Sequence, residues 1–207
     1  MELIESLKYK GKPYIIEGPE RSAFPKFLRQ MGYKVGVEIG VYKGEFTEKF
    51  CREGLRMYGI DPWTSFRGQG RSQTLKERQD FLYGHAQRLL DKYIKDDTCT
   101  LIRKTSMEAV KDFNNGSLDF VYIDGDHRFK YIAEDIYEWI WRVRKGGIIS
   151  GHDYFYTNPG AKNILCHVGP VIDAYVKAFG VETFYIFGGK GIHKDDRWQS
   201  WFWVKNW

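Results

Sequence analysis

The chain has 207 residues, enough for one sizeable core without covalent staples, and with 43% apolar and 29% charged residues it is neither a disordered chain nor a membrane-embedded one. Its net charge of +5 and 17% aromatic content leave an anionic partner such as nucleic acid open until both are located along the chain. Three widely spaced cysteines (Cys51, Cys99, Cys166) form no CxxC or Cys/His grouping, and MELIESLKYKGK has no apolar leader. This excludes a disulfide framework and a zinc site, and sets the expectation of a reducing cytoplasm.

Residues 1–31 read as an N-terminal helical extension with a helix around 22–30. The segment 34–39 (KVGVEI) is short, β-branched and bounded by glycine, as a buried strand should be, and a helix follows over 45–52. A second strand over 55–60 (LRMYGI) leads to a long charged helix over 74–94. Further strands are expected at 98–103, 118–123 (LDFVYI) and 147–150, with helices at 106–113 and 129–143 between them. In the latter helix Ile132, Ile136, Trp139, Ile140 and Val143 recur at three- and four-residue steps, the stripe of a helix lying on a sheet. Pro170 marks the start of a last helix, and two aromatic strands, 182–187 and 200–205, close the chain. No linker or internal repeat divides it, so residues 1–207 read as a single domain. The expected fold is α/β: a Rossmann-like, doubly wound, mostly parallel seven-stranded sheet with helices on both faces and a C-terminal antiparallel strand pair.

In such sheets ligands bind beyond the carboxyl ends of the strands, and the notable polar residues sit there. After the first strand comes Glu38-Ile39-Gly40-Val41-Tyr42-Lys43-Gly44. Gly40 allows a tight turn and close ligand approach, and Gly44 lets the next helix begin or pack without a Cβ clash. Asp61 ends the second strand, where a carboxylate can accept ribose hydroxyl protons. The pairing signals an adenosine-containing cofactor. Tyr42 stands where a dinucleotide motif needs its second glycine, and Glu38 repels phosphate while suiting a cationic ligand. The fourth strand runs into Asp124-Gly125-Asp126-His127 and the fifth into His152-Asp153-Tyr154. Three carboxylates and two imidazoles therefore meet at one edge. Either Asp124 and Asp153 hold a divalent cation, oxygen ligands favouring Mg2+ or Mn2+, or His127 or His152 acts as a metal-free general base.

At these residues the chain resembles the class I S-adenosylmethionine-dependent methyltransferases: VEIGVYKGEFT is similar to their first motif and YGIDPW to their second. The resemblance implies that Gly40 and Gly44 border the methionine moiety of S-adenosylmethionine, that Glu38 lies beneath it, and that Asp61 holds the ribose. It also implies Ser106 near the adenine edge, with Trp63 either a stacking face or a packing ring. IDGDH and HDY narrow the likeness to small-molecule O-methyltransferases acting on sugars, antibiotics and similar hydroxylated compounds. In metal-dependent relatives an Asp after the fourth strand and a pair after the fifth bind magnesium. Asp124 and Asp153 match, whereas Tyr154 departs from the usual Asn or Asp, so Asp126, His152 or waters would have to complete the set. The implied activity is methyl transfer to a small hydroxylated acceptor, with Asp124, His127 and His152 at the chemistry.

Two other readings stay open: an NAD-dependent oxidoreductase, since a glycine turn and Asp61 also suit a nicotinamide cofactor, and a non-catalytic cofactor-binding module on the same fold. The charge distribution disfavours nucleic acid, because residues 106–153 carry −3 while the basic excess falls elsewhere. The acceptor pocket is expected to be walled by residues 65–72 and 154–168, and the aromatic closing strands offer a surface for a homo-oligomer.

Overall fold

The structure is a computed structural model and describes residues 1–64, 73–156, 166–189 and 198–207. In chain order its elements are α1 (Leu3–Ser6), β1 (Tyr14–Ile16), a 3-10 turn (Arg21–Ala23) leading into α2 (Phe24–Gln30), β2 (Val35–Ile39), α3 (Glu45–Arg52) and β3 (Arg56–Ile60). They continue with α4 (Gln73–Lys95), β4 (Cys99–Ile102), α5 (Ser106–Ala109) with a 3-10 turn (Val110–Asp112), β5 (Leu118–Ile123) and α6 (Phe129–Arg142). The chain ends with β6 (Val143–Tyr154), α7 (Val168–Ala178), β7 (Tyr185–Gly188) and β8 (Gln199–Val204).

The strands form one sheet of eight in the order β1-β7-β8-β6-β5-β2-β3-β4. Strands β2 to β6 pair in parallel, and β8 runs antiparallel to both β6 and β7. The eighth strand is the one the sequence did not announce: Tyr14–Ile16, inside the segment read as a helical extension, pairs in parallel with β7. Three residues of YII between a cis Lys12–Pro13 peptide and Gly18 are too short to show a period.

Helices cover both faces because the central strands are apolar on both. In β5 all residues but Asp119 are buried, and one layer of core gathers Val37, Val121, Ile149, Trp139 and Ile172 under α5, α6 and α7. The opposite layer is aromatic: Phe24, Phe27, Phe50, Phe120, Tyr122, Phe187 and Phe202 pack beneath the N-terminal helices and α3. The rings of β7 and β8 belong to these layers. Phe187, Trp201, Phe202 and Trp203 are fully buried in them, so these rings supply core. Lys205, also buried, donates its Nζ to the carbonyls of Ile140 and Val143 at 2.9 and 2.8 Å, closing the carboxyl end of α6.

Register places the functional residues. Ile39 pairs with Ile60 on one side and with Ile123 on the other, and Ile123 pairs with Gly151. The residues that follow, Gly40, Asp61, Asp124 and His152, therefore stand at one level at the carboxyl edge of the sheet. The chain turns to opposite sides after β2, with β3 on one flank and β5 on the other, so this is the switch point at which open α/β sheets bind ligands.

Candidate active site

A cavity of about 870 Å3 lies above this edge, with Arg21, Glu38, Gly40, Asp61, Asp124 and Gly125 among its walls. Its floor is set by backbone. Gly40 has φ +90°, and a Cβ there would lie 2.1 Å from the Asp124 carbonyl oxygen, so no other residue fits the turn. Gly40 N donates to Ile60 O at 2.9 Å and Asp124 N to Ile39 O at 2.8 Å, which ties the three strand ends together. Gly44, at φ +84°, precedes α3, and a Cβ there would press within 3.1–3.3 Å of Leu90 and Ala86. It thus admits close packing of α3 on α4.

Asp61 organises the turn after β2. One carboxylate oxygen accepts from Val41 N (3.1 Å) and Tyr42 N (3.0 Å), and the other from Trp63 N (2.7 Å). Burial raises its pKa, opposed by these three donors. Glu38 is fully buried beneath the turn and accepts from the Thr47 hydroxyl; burial pushes its pKa up to about 8 against the pull of Thr47 and Arg21. Trp63 is 1% exposed, packs at 4.7 Å on Tyr83 and donates Nε1 to Tyr42 O, so it is the packing ring and not a free stacking face. Ser106 accepts from Trp139 Nε1 at 2.8 Å and bonds the buried Asp135; its hydroxyl is committed inside α5 and α6.

On the other side of the switch point, Asp124, His152 and Asp153 bring ligand atoms within 4.8 Å of one another. His127 Nε2 lies 3.2 Å from Asp153 Oδ2 and 3.5 Å from Asp124 Oδ1, and His152 Nδ1 lies 3.3 Å from Asp153 Oδ1. Neither histidine's Nε2 makes a hydrogen bond of proper geometry among the described residues, although both are buried. Asp153 holds φ +57°, a left-handed conformation that a non-glycine residue adopts at some cost. Its carbonyl accepts from Phe155 N (2.9 Å) and Cys166 Sγ (3.6 Å), which brace the turn. Burial alone would raise the Asp124 carboxyl, but Arg21 and the two histidines outweigh it and hold the group well below the usual carboxylate range. For His127 burial works downward, and the facing carboxylates of Asp124 and Asp153 reverse it, leaving the imidazole more basic than usual.

Asp126, expected among the cation ligands, stands apart. Both its oxygens are taken by the Arg128 guanidinium, and one also accepts Arg128 N at 3.1 Å, which orders the entry to α6. His152 takes its place in the cluster. Tyr154 points away, donating to Asp173 Oδ1 on α7 at 2.8 Å beside the Tyr156 hydroxyl on Oδ2. The expected pocket walls at 65–72 and most of 154–168 lie outside the described residues.

Sequence reasoning missed Arg21 and His167. Arg21 reaches from the 3-10 turn over the sheet to Asp124 (Nη2 to Oδ2, 2.5 Å), with its guanidinium 4.0 Å from the Phe46 ring centroid and 5.2 Å from that of Tyr122. A lone arginine 103 positions before its partner carries no local signal. His167 accepts from Phe129 N at 2.9 Å and donates its own N–H to His127 O at 2.8 Å, fixing the loop that carries His127.

A parallel sheet with a glycine turn and ribose-competent acid at the switch point, beside an acidic edge, is the arrangement of a class I S-adenosylmethionine-dependent methyltransferase. Residues 37–154 match the methyltransferase domain family, and the chain belongs to it. No curated protein matches the sequence. Among solved structures it is similar to the O-methyltransferase TomG from Streptomyces achromogenes, of tomaymycin synthesis, in complex with SAM (TM-score 0.64, 12% identity, 89% of this chain and 79% of that one). It is also similar to the O-methyltransferase from Bacillus cereus in complex with SAH (0.61, 14%, 89% and 80%) and the N-methyltransferase NodS from Bradyrhizobium japonicum (0.60, 13%, 90% and 95%). At these identities the likeness is one of fold. No described helix is long and apolar enough to cross a membrane.

Proposed function

We propose that this protein transfers the methyl group of S-adenosylmethionine to a hydroxyl of a small acceptor, and the observation that carries this reading is the Asp124, His127, His152, Asp153 group beside the glycine-turn cavity. The cavity fits the cofactor: Gly40 leaves room that any Cβ would fill, Glu38 and Asp124 suit the cationic sulfonium and ammonium, and Asp61 stands where the ribose is expected. The reaction forms an O–CH3 bond as the S–CH3 bond breaks, its electron pair staying on sulfur and the acceptor proton passing to a base. In-line placement supplies much of the acceleration.

His127 is the base in this reading. It is the more open of the two histidines, and Asp124 and Asp153 hold its ring in place, a positioned proton acceptor worth about 10²- to 10⁴-fold. His152, 4% exposed, suits a ligand better than a base. Asp124, Asp153 and His152 fit a divalent cation: their atoms are close enough to share one, and His152 Nε2 is buried without a partner. A nitrogen in the set shifts preference from Mg2+ toward Mn2+ and similar ions. A cation there would lower the pKa of an acceptor hydroxyl. Three free, buried cysteines fit a cytoplasmic protein.

Calorimetry with S-adenosylmethionine, S-adenosylhomocysteine and NAD tests the cofactor, with both sulfur compounds expected to bind and NAD not. A methyl-transfer screen of hydroxylated compounds with and without EDTA then tests the acceptor side. Binding of NAD alone would reject the proposal, and full turnover in EDTA would reject the cation.

A further inference from the structure

We infer that Arg21, in the N-terminal segment outside the matched methyltransferase domain, is a cofactor-binding residue that receives the carboxylate of the cofactor's methionine moiety; this rests on the proposed use of S-adenosylmethionine. Arg21 lines the cavity beside Glu38, Gly40 and Asp124. Its side chain is only 12% exposed, and its Nε–H has no hydrogen-bond partner among the described residues. Leaving a donor of a buried charged group unpaired is costly, so such a group marks a place where a partner is missing.

The surroundings identify that partner. Asp124 occupies Nη2, while Phe46 and Tyr122 present ring faces and no acceptor to the guanidinium. The remaining donors suit a planar carboxylate, which arginine binds through paired N–H groups. An α-amino acid moiety brings one carboxylate and one ammonium, and this corner sets the buried Arg21 guanidinium beside the Asp124 carboxylate. Binding would thus exchange one buried ion pair for two. The position is also rigidly supplied: β1 adds to β7 just upstream, and Phe24 just downstream is fully buried. A wholly structural Arg21 would need only its contact with Asp124.

The test compares two ligands that differ by the amino acid. S-adenosylhomocysteine carries it; 5′-deoxy-5′-methylthioadenosine keeps the adenosine and lacks it. The Arg21→Gln variant is expected to bind S-adenosylhomocysteine about 10- to 100-fold more weakly by calorimetry and methylthioadenosine as the wild type does, with Arg21→Lys recovering part of the loss. Equal weakening of both ligands would reduce Arg21 to a structural support and overturn the inference. Unchanged affinity for S-adenosylhomocysteine would overturn it as well. If Arg21→Gln does not fold, Arg21→Lys decides on the same two ligands, since a point charge lacks the paired donors. Failure of the wild type to bind either compound would instead remove the cofactor reading on which the inference stands.

Discussion

The two halves of the site are built differently. On the side of β2 and β3 the polar groups are satisfied: Asp61 holds three backbone N–H groups, Glu38 holds Thr47, and Gly40 locks against the Asp124 carbonyl. On the side of β5 and β6 the same length of chain contains a left-handed Asp153, two buried imidazole nitrogens without proper partners, and carboxylates crowded together. The first half is a finished receptacle. The second holds a strained backbone and buried imidazole nitrogens without partners, which a reacting acceptor or a cation can relieve.

The comparison predicts that the halves separate under mutation. Asp153→Asn keeps a residue that tolerates left-handed backbone and removes the charge facing His127. Turnover should fall by about 10²- to 10⁴-fold while S-adenosylhomocysteine affinity, measured by calorimetry, stays within a few-fold. Loss of both together would break the division. His127→Gln should lower turnover by at least about 10²-fold and abolish the acidic limb of the pH–rate profile, which a positioning role for His127 would leave in place.

Two substitutions on the other side should do the reverse, reducing binding through the backbone. Gly40→Ala forces a Cβ into the Asp124 carbonyl at φ +90° and should cost about 3 kcal/mol or more of stability in urea titration, along with cofactor binding. Asp61→Asn replaces acceptor atoms with an NH2 that faces a backbone donor. A cost of about 1–3 kcal/mol is expected, with S-adenosylhomocysteine and methylthioadenosine weakened alike, because both carry the ribose. That equality distinguishes it from the ligand-selective effect expected at Arg21.

What was legible follows from range. The strands β2 to β6, their alternation with helices, and the acids and glycines at their carboxyl ends could be read because each signal lies within a few residues. Even the choice of edge came from connectivity. The role of Trp63 was not decidable from sequence, since a tryptophan two residues past a strand reads the same whether it stacks on a ligand or on Tyr83. The pairing of Asp126 with Arg128 was not legible either, being a contact visible only once the turn has formed. β1 and Arg21 escaped because both act on residues more than 100 positions away, where no periodicity points. The N-terminal segment thus supplies the cavity with a buried guanidinium that no local signal announced.

The smallest expected effect concerns the joint between the halves. Asp135, on α6, lies 3.7 Å from where a Cβ of Gly125 would stand, directly behind the turn after β5. Burial pushes its pKa up to about 7 from an ordinary 3.8, with the Ser106 hydroxyl opposing. Between these values the folded chain keeps a proton that the unfolded chain has released, so stability from this group is fully present below about pH 4, declines as pH rises, and levels above about 7. Asp135→Asn preserves size and a hydrogen-bonding partner for Ser106 while removing the titration. Its stability in urea titration should match the wild type below about pH 4 and exceed it at pH 8, by an amount on the order of 1–3 kcal/mol after relaxation. Parallel pH dependence of the two proteins would show that Asp135 is already ionised in the fold, and that the turn carrying Asp124 rests on a buried charge instead of a neutral acid.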